Sequence, residues 1–194
     1  SVSGRKIIDE MGRPVCLRGC NLGSWLLIEP WMLGIDADQA VSEKDLWDSL
    51  YARFQSNDVL RLIRLYRRSF ILPEDIAAIR AMGLNLVRVP VWWRALLDPA
   101  YAGSWDQLDR ILDLCESNGV YVVIDLHGAP GGQTSKSEIV GEPSEGGLWL
   151  QPENQELTVE LWRMIAERYR DRPVVAGYDL LNEAFEPPFN TLLA

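Results

Sequence analysis

Four stretches of the chain are apolar almost without interruption, and all are short. Val15–Leu22 reads V-C-L-R-G-C-N-L, Asn85–Val91 reads N-L-V-R-V-P-V, Val120–Leu126 reads V-Y-V-V-I-D-L, and Val174–Ala184 reads V-V-A-G-Y-D-L-L-N-E-A. Runs of this length, rich in Val and Leu and bounded by turn residues such as Asp171-Arg172-Pro173, predict strands covered on both faces. Gly19 inside the first run marks a bend or a close backbone approach. Between the runs the apolar period changes to that of helices. Ser42, with Asp45 three residues on, predicts a capped helix carrying Leu46, Trp47, Leu50, Tyr51 and Phe54. A second helix is expected from Asn57 to Arg68, with Val59, Leu60, Ile63 and Leu65 as its apolar residues. Pro73 opens a helix that Gly83 closes, and Ser104 caps another that carries Leu108, Ile111, Leu112 and Cys115 and ends near Asn118-Gly119. Gln155–Tyr169 is amphipathic. Lys6–Asp9 and Met11–Pro14 predict a short hairpin turning at Glu10–Arg13.

The order is strand, helix, strand, helix, strand, helix, strand, which implies a parallel sheet of βα units. Polar residues gather just after each strand: Asn21, Arg88, His127, then Asn182 and Glu183. Parallel strands in a right-handed wind bring their C-terminal ends together, so this repeated placement predicts one site. The loop from Gly131 to Leu150 is long and polar, which favours a functional role over mere connection.

Composition narrows the partners. Of 194 residues, 19 are Lys or Arg and 28 Asp or Glu, for a formal net charge of -9. An acidic chain argues against nucleic acid or an anionic membrane surface and suits a neutral substrate. No segment is long and apolar enough to span a bilayer. Arg61, Arg64, Arg67 and Arg68 form a basic patch whose simplest reading is a solvated face paired with nearby acids. Cys16, Cys20 and Cys115 match neither a disulfide framework nor a zinc motif, so buried free thiols are expected. A single histidine, His127, weighs against a histidine-rich metal centre, and no metal or cofactor is expected. Eight tryptophans are many for this length. Trp25, Trp31, Trp92, Trp93 and Trp149 can pack a core or stack on sugar rings, and one or two of them are expected to touch sugar.

Taken together, Arg18–Leu26 (R-G-C-N-L-G-S-W-L) with Glu29–Trp31 (E-P-W), Asn85–Val91, Val123–Gln133 (V-I-D-L-H-G-A-P-G-G-Q) and Tyr178–Glu183 (Y-D-L-L-N-E) resemble the first half of a family-five glycoside hydrolase. That family belongs to the clan of (β/α)8-barrel retaining glycosidases, and the nearest likeness is to its exo-β-1,3-glucanase and bacterial β-glucanase branch. The resemblance implies a TIM-type parallel (β/α) barrel of which this chain, over residues 1–194, supplies strands one to four. It implies that Glu183 is the general acid/base and that Asn182 bonds the sugar 2-hydroxyl. Arg88 would sit beneath the catalytic carboxylates, and His127 and Glu29, with Trp31 beside them, would line the sugar subsites. The bland alternatives are that Arg88 merely neutralises Asp125 or another carboxylate, that His127 is a satisfied loop histidine, and that Glu29 is solvated.

The chemistry explains the residue types. Glycoside cleavage needs a carboxylic acid still protonated near neutrality, and burial with a neighbouring negative charge would keep Glu183 so. A retaining mechanism also needs a second carboxylate about 5–5.5 Å away. The family places that nucleophile after strand seven, whereas this sequence reaches only the loop Glu186–Asn190 and ends at Ala194. The G-G-Q-T-S-K-S-E segment also departs from the aspartate-asparagine pattern of many relatives. Two readings follow: a β-glucan hydrolase whose acid/base half is carried here, or an inactive half-barrel that binds sugar or only assembles, as a homodimer or with a C-terminal half. A secreted or periplasmic location would follow from the resemblance.

Overall fold

The computed structural model describes residues 2–9 and 11–184. Glu10, in the expected turn, and the loop Glu186–Asn190 with Ala194 lie outside the described residues.

The chain opens with a two-stranded antiparallel hairpin, β1 (Val2–Ser3) against β2 (Lys6–Ile7), turning through Gly4 in the left-handed region. The expected hairpin further on survives only as a bridge between Ile8 and Pro14. Its turn is held by the Asp9 carboxylate, which accepts from the amides of Met11 and Arg13, each at 2.9 Å.

The sheet that carries the fold has four parallel strands in sequence order: β3 (Gly19–Asn21), β4 (Leu86–Trp92), β5 (Tyr121–Gly128) and β6 (Val175–Asp179). This is the TIM-type order of an incomplete (β/α) barrel, as expected. The first strand is much shorter than its eight-residue apolar run. At Gly19 it lies close against β4: a Cβ there would be 2.1 Å from the Leu86 carbonyl oxygen. Beyond Asn21 the path runs irregularly beside β4, with Leu26 bridging Val91.

Between β3 and β4 lie a 3-10 turn (Pro30–Leu33) and helices α1 (Glu43–Tyr51), α2 (Ser56–Phe70) and α3 (Pro73–Ala81). A short α4 (Trp93–Leu97) and α5 (Asp106–Asn118) link β4 to β5. The loop between β5 and β6 contains two single turns, α6 (Ser137–Val140) and α7 (Gly147–Leu150), before α8 (Pro152–Tyr169). Ser42 and Asp45 form a complete capping box on α1, and Gly119 ends α5 at φ 64°. Both follow from residue chemistry: the Ser hydroxyl accepts an orphan amide, and glycine takes the left-handed turn without a Cβ clash.

Strand periodicity sorts the side chains. Val87, Val89, Val91, Val122, Ile124 and Leu126 turn one way and pack on Ile76, Leu108, Ile111, Leu161 and Ile165 of the helices. A second cluster joins Leu27, Ile28, Trp47, Val59, Ile63 and Trp92. Two expectations on α2 are corrected here. Leu65 is exposed, and Arg67 is buried at 3% exposure because it extends the Val59–Ile63 stripe by one more turn. Cys16 and Cys20 are also exposed rather than buried. Cys20 lies on the edge strand, with no further strand beside it among the described residues. Cys115 is buried, which pushes its thiol up to about 12.

α5 and α8 are joined at Asp109, which accepts from Arg168 Nε at 2.9 Å and the Tyr169 hydroxyl at 2.8 Å. Burial pushes this carboxyl up, but the bonds from Arg168 and Tyr169 and the charges of Arg168 and Arg172 outweigh it, so its pKa lies below 3.8. A depressed folded-state pKa contributes stability that is present above the unfolded value and lost as pH falls through the folded one. Denaturant titrations of the wild type and Asp109→Asn should therefore converge as pH drops from neutrality to below 3.8. A gap between them that stays constant with pH would refute the assignment. Among the described residues, no helix is long and apolar enough to cross a membrane.

Candidate active site

At the C-terminal ends of the sheet the inward-facing side chains are polar, and Arg88 is their hub. It sits third in β4, not after it as expected, and its long side chain reaches up to the strand ends. Arg88 Nε and Nη2 both donate to Asp179 Oδ2, at 3.0 and 2.8 Å. Nη2 also donates to Asn182 Oδ1 at 2.9 Å, and Nη1 reaches Asn21 Oδ1 at 3.4 Å. One guanidinium thus ties the ends of β3, β4 and β6 together. It pairs with β5 as well, because Asp125 Oδ1 lies 3.0 Å from Nη2. With both Nη2 hydrogens already given to Asp179 and Asn182, that contact is charge pairing without a hydrogen bond, and Asp125 Oδ1 is left without a donor. Burial raises the pKa of Asp125, opposed by the hydrogen bond and charge of His127 and by the charge of Arg88.

The arginine also fixes the protonation pattern of its neighbours. A guanidinium only donates, so the Asn182 atom facing it must be the carbonyl oxygen. The Asn182 NH2 group therefore faces His127 Nε2, at 3.2 Å. That nitrogen must accept, which puts the ring proton of the neutral imidazole on Nδ1. Nδ1 then donates to Asp125 Oδ2 at 2.6 Å. Asp179, Arg88, Asn182, His127 and Asp125 form one directed chain with a single tautomer. Glu29 stands at its end, with Oε1 3.7 Å from His127 Nε2 and Oε2 accepting from Trp31 Nε1 at 2.9 Å.

Of the six expected site residues, Arg88, Asn182 and His127 are joined by hydrogen bonds, and the hydrogen-bonded pair Glu29–Trp31 stands beside His127 at 3.7 Å. Trp31 is 62% exposed, whereas Trp25 and Trp92 are wholly buried and serve the core. Glu183 follows Asn182 but differs from expectation. Its side chain is 46% exposed and, among the described residues, pairs with the Lys136 ammonium at 4.0 Å, whereas burial beside an anion was expected. Its backbone adopts φ 38°, the left-handed region that non-glycine residues seldom occupy. Asp179 was missed in the sequence; an aspartate inside an apolar run was the available signal. Among the described residues no three His, Cys, Asp or Glu side chains gather as metal ligands. A cavity of about 690 Å³ lies at the other end of the sheet, near Ile8, Gly119, Tyr121 and Arg172. Both arginines that line it are already paired, Arg172 with Asp113 and Glu116 and Arg170 with Asp171, so the convergent polar chemistry is at the C-terminal end.

Comparison with known proteins bears on this arrangement. Residues 55–189 match the family model described as cellulase (glycosyl hydrolase family 5). Over its whole length the chain is 32% identical to a β-xylosidase of Phanerodontia chrysosporium, of which it covers 41%. It is 34% identical to a glucan 1,3-β-glucosidase of Blumeria graminis over 86% of the chain and 40% of that relative. The crystal structure of rutinosidase from Aspergillus niger superposes with a TM-score of 0.73 at 19% identity, over 90% of this chain and 51% of that one. The chain therefore spans roughly 40% of the curated relatives named here.

Proposed function

The chain belongs to glycosyl hydrolase family 5, and from that premise we propose that it carries the acid/base half of the site of a retaining hydrolase acting on β-glucan or a related β-glycoside. Residues 1–194 are, on this reading, the N-terminal half of a (β/α)8 catalytic domain. The observation that carries it is the Arg88 hub, which holds Asn182, and with it the start of Glu183, at the ends of all four strands. Glu183 donates its proton to the glycosidic oxygen as the C1–O bond breaks, and a carboxylate closes on C1. Water then displaces that carboxylate, giving its proton to Glu183. The nucleophile is assigned to a strand outside the described residues. Asp125 and Asp179 are occupied by Arg88, and Glu29 by Trp31. Asn182 would bond the 2-hydroxyl, while His127, Glu29 and Trp31 would line the sugar. The substrate class is supported by the two relatives, a β-xylosidase and a glucan 1,3-β-glucosidase.

One observation favours a second reading, a half-barrel that binds sugar or only assembles: Glu183 is half exposed in this chain. An acid working in such a site needs enclosure, which substrate or further strands would have to provide. The test is hydrolysis of β-1,3- and β-1,4-glucans and of aryl β-glucosides by the protein that carries this chain, beside its Glu183→Gln variant. Loss of turnover on unactivated substrates supports the acid role. Equal turnover by the two proteins rejects it.

A further inference from the structure

The proton donor proposed above sits on a strained turn, and one buried side chain holds that turn in place. Glu183 keeps a left-handed φ of 38° although it is not glycine. Such a conformation is strained for a residue with a Cβ and persists only when its surroundings enforce it. The peptide in question joins Asn182 to Glu183. Its upstream side is anchored by the Asn182 amide, which donates to Leu126 O at 3.1 Å. Its own carbonyl, Asn182 O, accepts from Gln133 Nε2 at 2.9 Å.

Gln133 is fully buried. Its Nε2 also donates to His127 O at 2.7 Å, and its Oε1 accepts from Ala129 N at 3.2 Å. Both amide hydrogens are therefore spent on carbonyls, one at the end of β5 and one past the end of β6. The loop that delivers Gln133 is built to aim it inward. Gly131 and Gly132 take consecutive left-handed turns, at φ 73° and 72°. A Cβ at either would come within 2.1 Å of Asn154 Nδ2 or 2.0 Å of Ser144 Oγ. Trp149 Nε1 then closes on Gln133 O at 2.8 Å.

We propose that Gln133 is the positioning residue for the acid/base: by bonding Asn182 O it sets the plane of the Asn182–Glu183 peptide and so the direction of the Glu183 carboxyl. This rests on the acid role of Glu183. A donor is required at 133 because the two partners of Nε2 are carbonyl oxygens, so an isosteric side chain without N–H groups cannot replace it.

The experiment compares wild type, Gln133→Met, Gln133→Glu and Glu183→Gln on two aryl β-glucosides, one with a poor leaving group and one with a dinitrophenyl leaving group that departs without protonation. Misplacement of a catalytic group by about 1 Å costs on the order of 10²-fold. Gln133→Met is expected to lose about that factor in kcat/KM, which reports formation of the glycosyl-enzyme, on the poor leaving group, with a far smaller loss in kcat/KM on the dinitrophenyl glucoside. A residue that served only to hold the fold would lower both rates alike, and that outcome overturns the proposal. Gln133→Glu covers the case in which Gln133→Met does not fold. Its carboxylate cannot donate, but its protonated form can, so its activity relative to wild type should rise as pH falls; a flat ratio counts against the idea. If Glu183→Gln shows the leaving-group signature and neither Gln133 variant does, Gln133 has no such role while the acid reading stands. If Glu183→Gln does not show it, or no protein hydrolyses either substrate, the acid reading fails and this one falls with it.

Discussion

Glu183→Gln is expected to slow hydrolysis of a β-glucoside with a poor leaving group by about 10²–10⁴-fold, the range over which a positioned general acid accelerates proton transfer. Gln keeps the size and hydrogen-bonding reach of Glu but carries no transferable proton. The leaving alkoxide must then depart with its full negative charge, so the loss should scale with the pKa of the alcohol released. On a dinitrophenyl glucoside, whose phenolate departs without help, formation of the glycosyl-enzyme should be nearly unaffected. Turnover would then be limited by the second step, where no base activates the water. A small anion such as azide attacks without that base, so added azide should restore turnover and leave a glycosyl azide of retained configuration. Burst kinetics followed by product analysis checks both parts. An azide product of inverted configuration would contradict the retaining mechanism, and an equal loss in the rate of glycosyl-enzyme formation on both substrates would contradict the acid role.

Arg67→Met is expected to give the largest loss of stability of any single substitution considered, about 3–5 kcal/mol, the usual cost of leaving a buried charge without its partner. Glu43 is fully buried and accepts from Ile28 N at 2.7 Å, Trp47 Nε1 at 2.9 Å and Arg67 Nη2 at 3.1 Å. Arg67 Nη1 in turn donates to Tyr101 O at 2.7 Å. The pair therefore fastens α1, α2, the segment before Glu29 and the turn after α4 to one another. For a chain of this length the loss corresponds to a fall of roughly 6–20 °C in Tm. The pair variant Glu43→Gln/Arg67→Met removes both charges yet keeps an acceptor for the Ile28 amide, so calorimetry should recover much of the loss. A single variant melting within a degree or two of wild type would show that the charges are solvated after all.

The same pair shows what was legible in the residues and what was not. Glu43 reads as one of several acids in a first helical turn, and Arg67 as one of four arginines on a solvated face. Only the three-dimensional crossing of α1 and α2 sets these two apart. β4 and β5 were legible because burial on both faces leaves a continuous apolar run, although the outer strands β3 and β6, read in the same way, are exposed or half-buried. The caps at Ser42 and Gly119 were legible because they depend on one or two neighbouring residues. Arg88, His127 and Asn182 could be found because each interrupts an apolar strand or its end. Asp179 interrupts one as well and was passed over beside the more prominent Asn182-Glu183 pair. Gln133 gave no such signal. Its importance comes from two carbonyls 6 and 49 residues away along the chain, and no periodic pattern records a loop folding back on a strand end.

The left-handed backbone at Glu183 sets folding and chemistry against each other at one position. Glycine, or asparagine to a lesser degree, would occupy that φ at lower cost than glutamate. Variants screened for thermal endurance alone should therefore collect such replacements at 183. Their greater durability would come with the loss of the carboxyl, so a heat-selected lineage of this protein would gain robustness at the residue where a hydrolase could least accept it.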